Sequence, residues 1–415
     1  MRILFLSNMY PPYVIGGYEA LCQEIVEGLV ERGHEAVVLT SDFGVGRPSL
    51  DGNVHRVLVL ESDLQFYRVG QALAYPRLRQ RNLGELRRLI SSMQPDVVFV
   101  WGMWNLSRSL ASEAEKLMGS RVVYYLANPW PIEPNMHQAY WDAPAVSSVG
   151  KLIKPMVRVP FRTLLREEWH PVQLRFEHAP CCSAAQRDEL VAAGVSLQSA
   201  PVIYEGIDLA PYLEQAESRT FGEHSEGLSL LYVGILAPHK GVHTAIEALA
   251  HLTPMDREGV SLTIVGRGHP QYEARLRSLV EQDRLTDVVA FHAPIARSEL
   301  PAFLGRYDVL VLPSVWSEPL ARIMQEGLAA GMVVAGSATG GTKETIVDGE
   351  NGLLFEAEDA AGLASIVLRL KRDRSLCARL SKQGSATAVD LFNIKVMVGE
   401  LEHYLQAVVS GEQWP

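Results

Sequence analysis

Two glutamates eight residues apart, Glu318 and Glu326, stand in the most informative stretch of the chain, VLVLPSVWSEPLARIMQEGLAAGMVVAGSATGGTKETI. A strand pattern ends at Pro313-Ser314 and a helical pattern follows Glu318, with Pro319 at the first helical position, where its missing N–H costs nothing. Glu318 then precedes the helix and Glu326 lies about two turns inside it, so both carboxylates can face one crevice. The amides of Leu320, Ala321 and Arg322 are expected to point out of the helix start beside Glu318, an arrangement suited to a diphosphate. A buried carboxylate needs hydrogen-bond donors, and sugar hydroxyls supply them. Taken alone, each glutamate also reads as a helix cap or an exposed side chain.

Two glycine loops follow the same anion-binding logic. In VGILAPHKGVHTAIEAL, Lys240-Gly241 lies between a strand and a helix, so a cationic side chain and free amides converge. Near the start of the chain Gly16-Gly17 precedes a helix beginning at about Tyr18-Glu19, and a diphosphate, a sugar hydroxyl or only a structural turn would suit it. The later Gly266–Gly268 is a fragment of a dinucleotide fingerprint without its third glycine or downstream acid, and reads as a wall element.

The elements that must hold these residues are short apolar runs without polar alternation: Arg2–Ser7, Glu35–Thr40, Asp96–Trp101, Arg121–Leu126, Ala200–Tyr204, Leu228–Gly234, Ser261–Gly266, Asp287–His292, Tyr307–Leu312 and Met332–Ala335. Amphipathic helical segments such as Glu19–Arg32, Leu83–Ser92, Val242–Leu252, Gln271–Gln282 and Arg322–Ala330 alternate with them. The order predicts an α/β protein of two Rossmann-like, doubly wound domains: 1–205, with 386–415 packing back on it, and 206–385. The acidic stretch Ala216–Gly227 reads as their connection, and ligand is expected in the cleft between them.

Composition narrows the function classes. The 415 residues carry 38 Lys plus Arg against 48 Asp plus Glu, net −10, which argues against nucleic-acid binding. The charge is uneven: residues 1–205 hold 20 basic and 21 acidic side chains, the remainder 18 and 27. Cys22, Cys181, Cys182 and Cys377 show neither a disulfide framework nor zinc spacing, so buried free thiols and no metal site are expected. Without a signal segment or a transmembrane-length run, the chain is expected to be cytoplasmic.

The block EPLARIMQE, with GGTKE and DGENGLLF after it, the KG loop before it, MYPPYVIGG at the start and EGID at 205–208, resembles the retaining nucleotide-sugar glycosyltransferases of family 4, of GT-B fold. The resemblance covers nearly the whole chain, including a final helix near Leu391–Val409 that in such proteins crosses back to the first domain. It implies that Glu326 holds the ribose hydroxyls of a UDP-, GDP- or ADP-linked sugar, that Glu318 contacts the transferred hexose, and that Lys240 binds the diphosphate. It further implies that Gly16 and Gly17 close over the diphosphate, and that no metal or other cofactor takes part. The acceptor would be a glycan, a lipid-linked sugar or a small-molecule hydroxyl. Three positions depart from the pattern: Gly234-Ile235 stands where an arginine is usual, Ala127-Asn128 where a His-Asp pair is usual, and Leu320-Ala321 where Phe-Gly is usual. Arg322 is the expected replacement cation, the alternative being that it points to solvent. A non-catalytic sugar-nucleotide-binding protein on the same fold is the other functional reading.

Trp104, Trp130 and Trp141, with Trp101, Tyr140 and Asn128, fall in loops after first-domain strands and read either as an acceptor wall or as core filling. Lys151, Lys154, Arg158, Arg162 and Arg166 recur at helical spacing among apolar residues. This stretch, 151–166, reads as a basic amphipathic helix resting on the inner membrane face, or as the solvated side of an ordinary helix. Pro155 and Pro160 are expected to break or kink it. Oligomeric state is not readable.

Overall fold

A computed structural model of the chain describes all residues except 14–15, 62–68, 146–147, 170–171, 222–226, 413 and 415. The described residues form two compact units, one of Met1–Cys182, Arg187–Ile203 and Val398–Pro415, the other of Ser183–Gln186 and Tyr204–Met397.

The first unit is built on six strands: β1 (Arg2–Ser7), β2 (Glu35–Ser41), β3 (Ser49–Asp51), β4 (Val54–Leu58), β5 (Val97–Gly102) and β6 (Val122–Tyr124). Their order is β3-β4-β2-β1-β5-β6, parallel except for β3. β1 lies at the centre, with Leu4 level with Val37 of β2 and Val98 of β5. All six residues of β5, VVFVWG, are buried, as a strand covered on both faces must be. Leu86 and Ile90 of the helix Val69–Met93 and Leu110 and Ala114 of the helix Arg108–Met118 cover one face. From Val398 the C-terminal helix Ile394–Ser410 belongs to this unit, where Glu402 takes Arg32 at 2.8 Å and His34 at 2.7 Å.

The second unit repeats the plan with β7 (Leu228–Val233), β8 (Val260–Val265), β9 (Val289–His292), β10 (Val309–Leu312), β11 (Val333–Ser337) and β12 (Leu353–Phe355), all parallel, in the order β12-β11-β10-β7-β8-β9. β10 is central and fully buried, paired with β7 and β11. All four cysteines are buried and outside any disulfide. Among the described residues no helix is long and apolar enough to cross a membrane.

Several expectations need correction. Ala200–Tyr204 is not a strand; Val202 makes only an isolated bridge to Cys181. The short strands β3, β4 and β12 went unforeseen, β4 because its VHRVL alternates, as a half-buried strand does, instead of running continuously apolar. The stretch expected to be a connection begins inside the helix Ala210–Ser218, and its 222–226 portion lies outside the described residues. Pro155 and Pro160 do not break the helix Ser148–Leu164, which runs through both.

Candidate functional site

The chemistry of the second unit collects at the carboxyl ends of β7, β10 and β11. β7 leads into a single 3-10 turn, Pro238–Lys240, and then the helix Val242–Ala250. Gly241 joins turn to helix at φ +65°, where a Cβ would lie 1.8 Å from the Pro313 carbonyl oxygen, so only glycine fits. The Val315 amide donates to the His239 carbonyl at 2.9 Å. These contacts hold the loop after β7 against the loop after β10 and bring Lys240 Nζ to 2.5 Å from Glu318 Oε1. The ammonium also lies 5.5 Å from the centroid of the Trp316 ring. Partial burial, and then the Lys240 cation, push the His239 imidazole below its ordinary pKa.

Glu318 is held from the other side as well. Its Oε2 accepts from Ser314 Oγ at 2.9 Å, and the Ser314 carbonyl accepts from Ser337 Oγ at 2.6 Å. The Glu318 carbonyl accepts from the Gly341 amide at 2.9 Å. Gly340, at φ +48°, packs so closely that a Cβ would come within 2.1 Å of the same carbonyl oxygen. The glycines of GGTKE thus clamp the glutamate's backbone while serines orient its side chain.

Glu326 faces a different set of partners. It is buried on the helix Arg322–Ala329, with Arg297 Nη2 3.3 Å and Arg322 Nε 3.5 Å from its Oε1, and it accepts from the Tyr212 hydroxyl. Burial pushes its carboxyl above the ordinary range, while Arg297, Arg322 and Tyr212 pull it back. This is a paired, hydrogen-bonded carboxylate of the kind that sugar hydroxyls can share.

Two expectations about this segment are corrected. The helix starts at Arg322 with Ala321 as its N-cap, so Pro319 is not its first residue. Leu320 and Ala321 precede the helix and are buried, and the amides without an intrahelical partner begin with Arg322 and Ile323. Arg322 does not point to solvent: its half-buried side chain is turned along its own helix to Glu326. At the departure from the family pattern, Ile235 is exposed and its carbonyl accepts from the Tyr232 hydroxyl.

Glu344, the glutamate of GGTKE, accepts from the amides of Ala184 and Ala185 at 2.9 Å and from the Tyr204 hydroxyl at 2.7 Å, capping the start of the helix Ala184–Ala192. In the first unit Gly16 caps the helix Gly17–Glu31, and its amide donates to Glu19 Oε2 at 3.0 Å. The Gly16 amide is thus already bonded, and the first amide of that helix belongs to Gly17.

The aromatic residues of the first unit divide. Trp101 is buried in a stack between Tyr18 and Tyr125, with centroids at 5.0 and 4.8 Å. Trp141 is likewise core, stacked on Phe161 at 4.5 Å. Both are removed from the expected acceptor wall. Asn128 caps a turn, its Oδ1 accepting from the Trp130 amide at 3.2 Å. Trp104 is exposed, and with Trp130 it lines a cavity of about 260 Å³ together with Arg108, Asn135, His137 and the buried pair Glu61 and Glu168.

This cavity follows the carboxyl ends of β5 and β6. Tyr75 and Asn135 Nδ2 donate to Glu168, and Asn82 Nδ2 donates to Glu61 at 3.0 Å. Burial, and then the charge of Glu168, raise the Glu61 carboxyl to about 8. Burial lowers the His137 imidazole to about 4. The cavity at neutral pH is therefore lined by a protonated Glu61 and a neutral His137, with Arg108 donating to the carbonyls of Trp130 and Glu133 at 3.1 Å.

Arg297, Tyr212, Ser314, Glu61, Glu168 and His137 were not singled out from the sequence. Arg297 and Ser314 carry a signal, since each follows a strand at its carboxyl end. Tyr212 and Glu61 carry none: their partners lie far off in the chain.

Two families match, covering most of the chain between them: "Glycosyltransferase Family 4" over residues 15–211 and "Glycosyl transferases group 1" over residues 214–387. A glycogen synthase of Mycobacterium tuberculosis is 29% identical over 436 residues, spanning 100% of this chain and 97% of that protein. Among solved structures, sucrose-phosphate synthase of Thermosynechococcus elongatus matches with a TM-score of 0.72 at 19% identity, over 99% of this chain and 100% of that one. Anabaena HepE, in complex with UDP-glucose, matches with a TM-score of 0.66 at 21% identity, over 98% and 100%.

Proposed function

The chain belongs to the family 4 glycosyltransferases of GT-B fold, and from that premise we propose that it moves a hexose-type sugar from a nucleotide diphosphate sugar to an acceptor hydroxyl with retention of anomeric configuration. The observation that carries the reading is Lys240, an ammonium held 2.5 Å from Glu318 at the carboxyl ends of parallel strands, with Glu326 further along the same segment. Lys240 and the first amides of the helix Arg322–Ala329 take the diphosphate, Glu318 takes hydroxyls of the sugar, and Glu326 takes those of the ribose. The acceptor hydroxyl oxygen attacks the anomeric carbon on the face from which the diphosphate leaves. The carbon–oxygen bond to phosphate breaks, the new glycosidic bond forms, and the hydroxyl proton passes to the departing phosphate oxygen. Lys240 stabilises the charge that develops there, the kind of preorganised electrostatic contribution that usually dominates such barriers. No metal enters this scheme.

A glucose-type donor is supported by the glycogen synthase relative and by the UDP-glucose complex of HepE. The cavity lined by Trp104, Arg108, Asn135 and His137 takes the acceptor, its aromatic edge, amide and neutral imidazole suiting a hydroxylated molecule. The second reading, a binding protein without catalysis, is favoured by Ile235 where the family places a second cation. Nucleoside diphosphate release from UDP-, ADP- and GDP-glucose, with and without glycan acceptors, separates the two. Release together with an α-configured product from an α-donor supports transfer; saturable donor binding without release supports the second reading.

A further inference from the structure

The helix Ser148–Leu164 turns its apolar residues outward. Leu152, Met156 and Val159, at i, i+4 and i+7, are 75%, 79% and 69% exposed, and Ile153 beside them is 51% exposed. Pro155 and Pro160 are also exposed on this helix, and Leu164 extends the apolar face at its end. Scattered apolar side chains are ordinary on a protein surface, but a continuous helical stripe is not.

The opposite side of the helix is fully occupied. Val157 and Phe161 pack on Trp141, Tyr140, Leu165 and Trp169. Three cations also tether the helix to the preceding one, Met136–Asp142. Lys154 donates to the carbonyls of Tyr140 and Ala143, and Arg158 and Arg162 meet Asp142 at 2.5 and 2.8 Å. The rotation of the helix about its axis is thus set by specific bonds, and the apolar stripe is the face left over.

Charge names what covers that face. Residues 143–166 contain five cations and no carboxylate, in a chain whose net charge is −10. Lys151 is exposed and borders the stripe on the helical projection, and Arg166, also exposed, opens the next helix, Arg166–Trp169. An apolar stripe edged by cations and free of carboxylates complements the headgroup and acyl boundary of an anionic bilayer. We propose that the helix Ser148–Leu164 docks the first unit on an anionic lipid surface, with Leu152, Met156 and Val159 entering the boundary and Lys151 and Arg166 meeting headgroup phosphates. The contact is peripheral, since among the described residues no helix is long and apolar enough to cross a bilayer.

Co-sedimentation of the full chain with phosphatidylcholine vesicles, and with vesicles containing roughly a third phosphatidylglycerol, tests the proposal. Binding is expected to be at least about tenfold stronger to the anionic vesicles and to weaken with salt. Replacing Leu152→Glu and Met156→Glu together should abolish it, leaving the melting temperature and nucleotide binding unchanged because both side chains are exposed. Lys151→Gln with Arg166→Gln should erase the preference for anionic over neutral vesicles. Equal sedimentation of wild type and the double-glutamate protein overturns the proposal. So does an absence of vesicle binding together with a dimer, seen by sedimentation velocity, that the same two glutamates dissociate; the stripe would then join copies of the chain.

Discussion

The two units share a plan of six strands and a central buried strand, yet they arm the carboxyl ends of those strands in opposite ways. In the second unit a cation is delivered to a carboxylate by backbone contacts so close that Gly241 and Gly340 admit no Cβ. In the first, burial raises the Glu61 carboxyl to about 8 and lowers the His137 imidazole to about 4, with an exposed tryptophan at the edge. The unit with the larger acidic excess holds the lysine proposed to meet a diphosphate, and the other holds the cavity proposed for the acceptor. Local geometry, not net charge, decides which ligand a surface takes.

Breaking the backbone contact should do the most damage. Gly241→Ala forces a methyl group against the Pro313 carbonyl in a left-handed conformation, and is expected to cost about 3 kcal/mol or more. For a unit of this size that lowers the melting temperature by roughly 6–12 °C in a thermal scan. An unchanged scan would mean that the two loops are not in contact.

Next in size is the cation itself. Lys240→Ala removes charge-assisted hydrogen bonds worth about 1.5–3 kcal/mol each, so the turnover number should fall by roughly ten- to a hundredfold. Wild-type turnover would remove Lys240 from the diphosphate site.

The first unit's cavity is probed by pH. The unfolded chain ionises Glu61 near 4.5 whereas the folded chain keeps the proton up to about 8, so stability falls as pH rises between those values. His137, lowered to about 4, works the other way, costing stability as pH falls from 6.5 toward that value. Glu61→Gln removes only the first effect. The melting temperature of the variant minus that of wild type should be small near pH 4.5 and rise steadily toward pH 8. A difference that does not change with pH would mean that Glu61 is ionised in the fold.

The smallest effect separates the two carboxylates of the second unit. Arg322→Ala weakens the group around Glu326, and should reduce affinity for nucleoside and nucleoside diphosphate alike by about three- to tenfold in calorimetric titrations. A loss confined to the diphosphate would place Arg322 with Lys240 instead.

Much of this was legible in the sequence where one segment carries both position and chemistry. Continuous apolar runs marked β1, β5, β7 and β10, because a strand buried on both faces has no polar alternation. Glu318, Glu326 and Lys240 stood out because carboxylates and a lysine occur beside glycines and prolines at strand ends. The helix start was misplaced because the stretch Pro319–Ala321 is held by Gly341 and buried apolar contacts, which a local capping rule does not see. Arg297 and Tyr212 reach Glu326 from other elements, and nothing local announces such a meeting. The tryptophans show the limit of type without orientation: Trp101 and Trp141 are core, while Trp104, three residues from the first of them, is exposed.

The division of labour between the units is tested most directly by hydrogen exchange read by mass spectrometry, with saturating UDP, ADP or GDP, whichever most raises the melting temperature. A ligand at about a hundred times its dissociation constant adds about 2.7 kcal/mol, ample for local protection. Added nucleotide should slow exchange in peptides covering Pro238–Val242 and Pro313–Glu326, and leave those covering Met103–Arg108 and Asn135–His137 unchanged. Protection confined to the latter peptides, or none at saturation, would contradict the assignment of the donor to Lys240, Glu318 and Glu326.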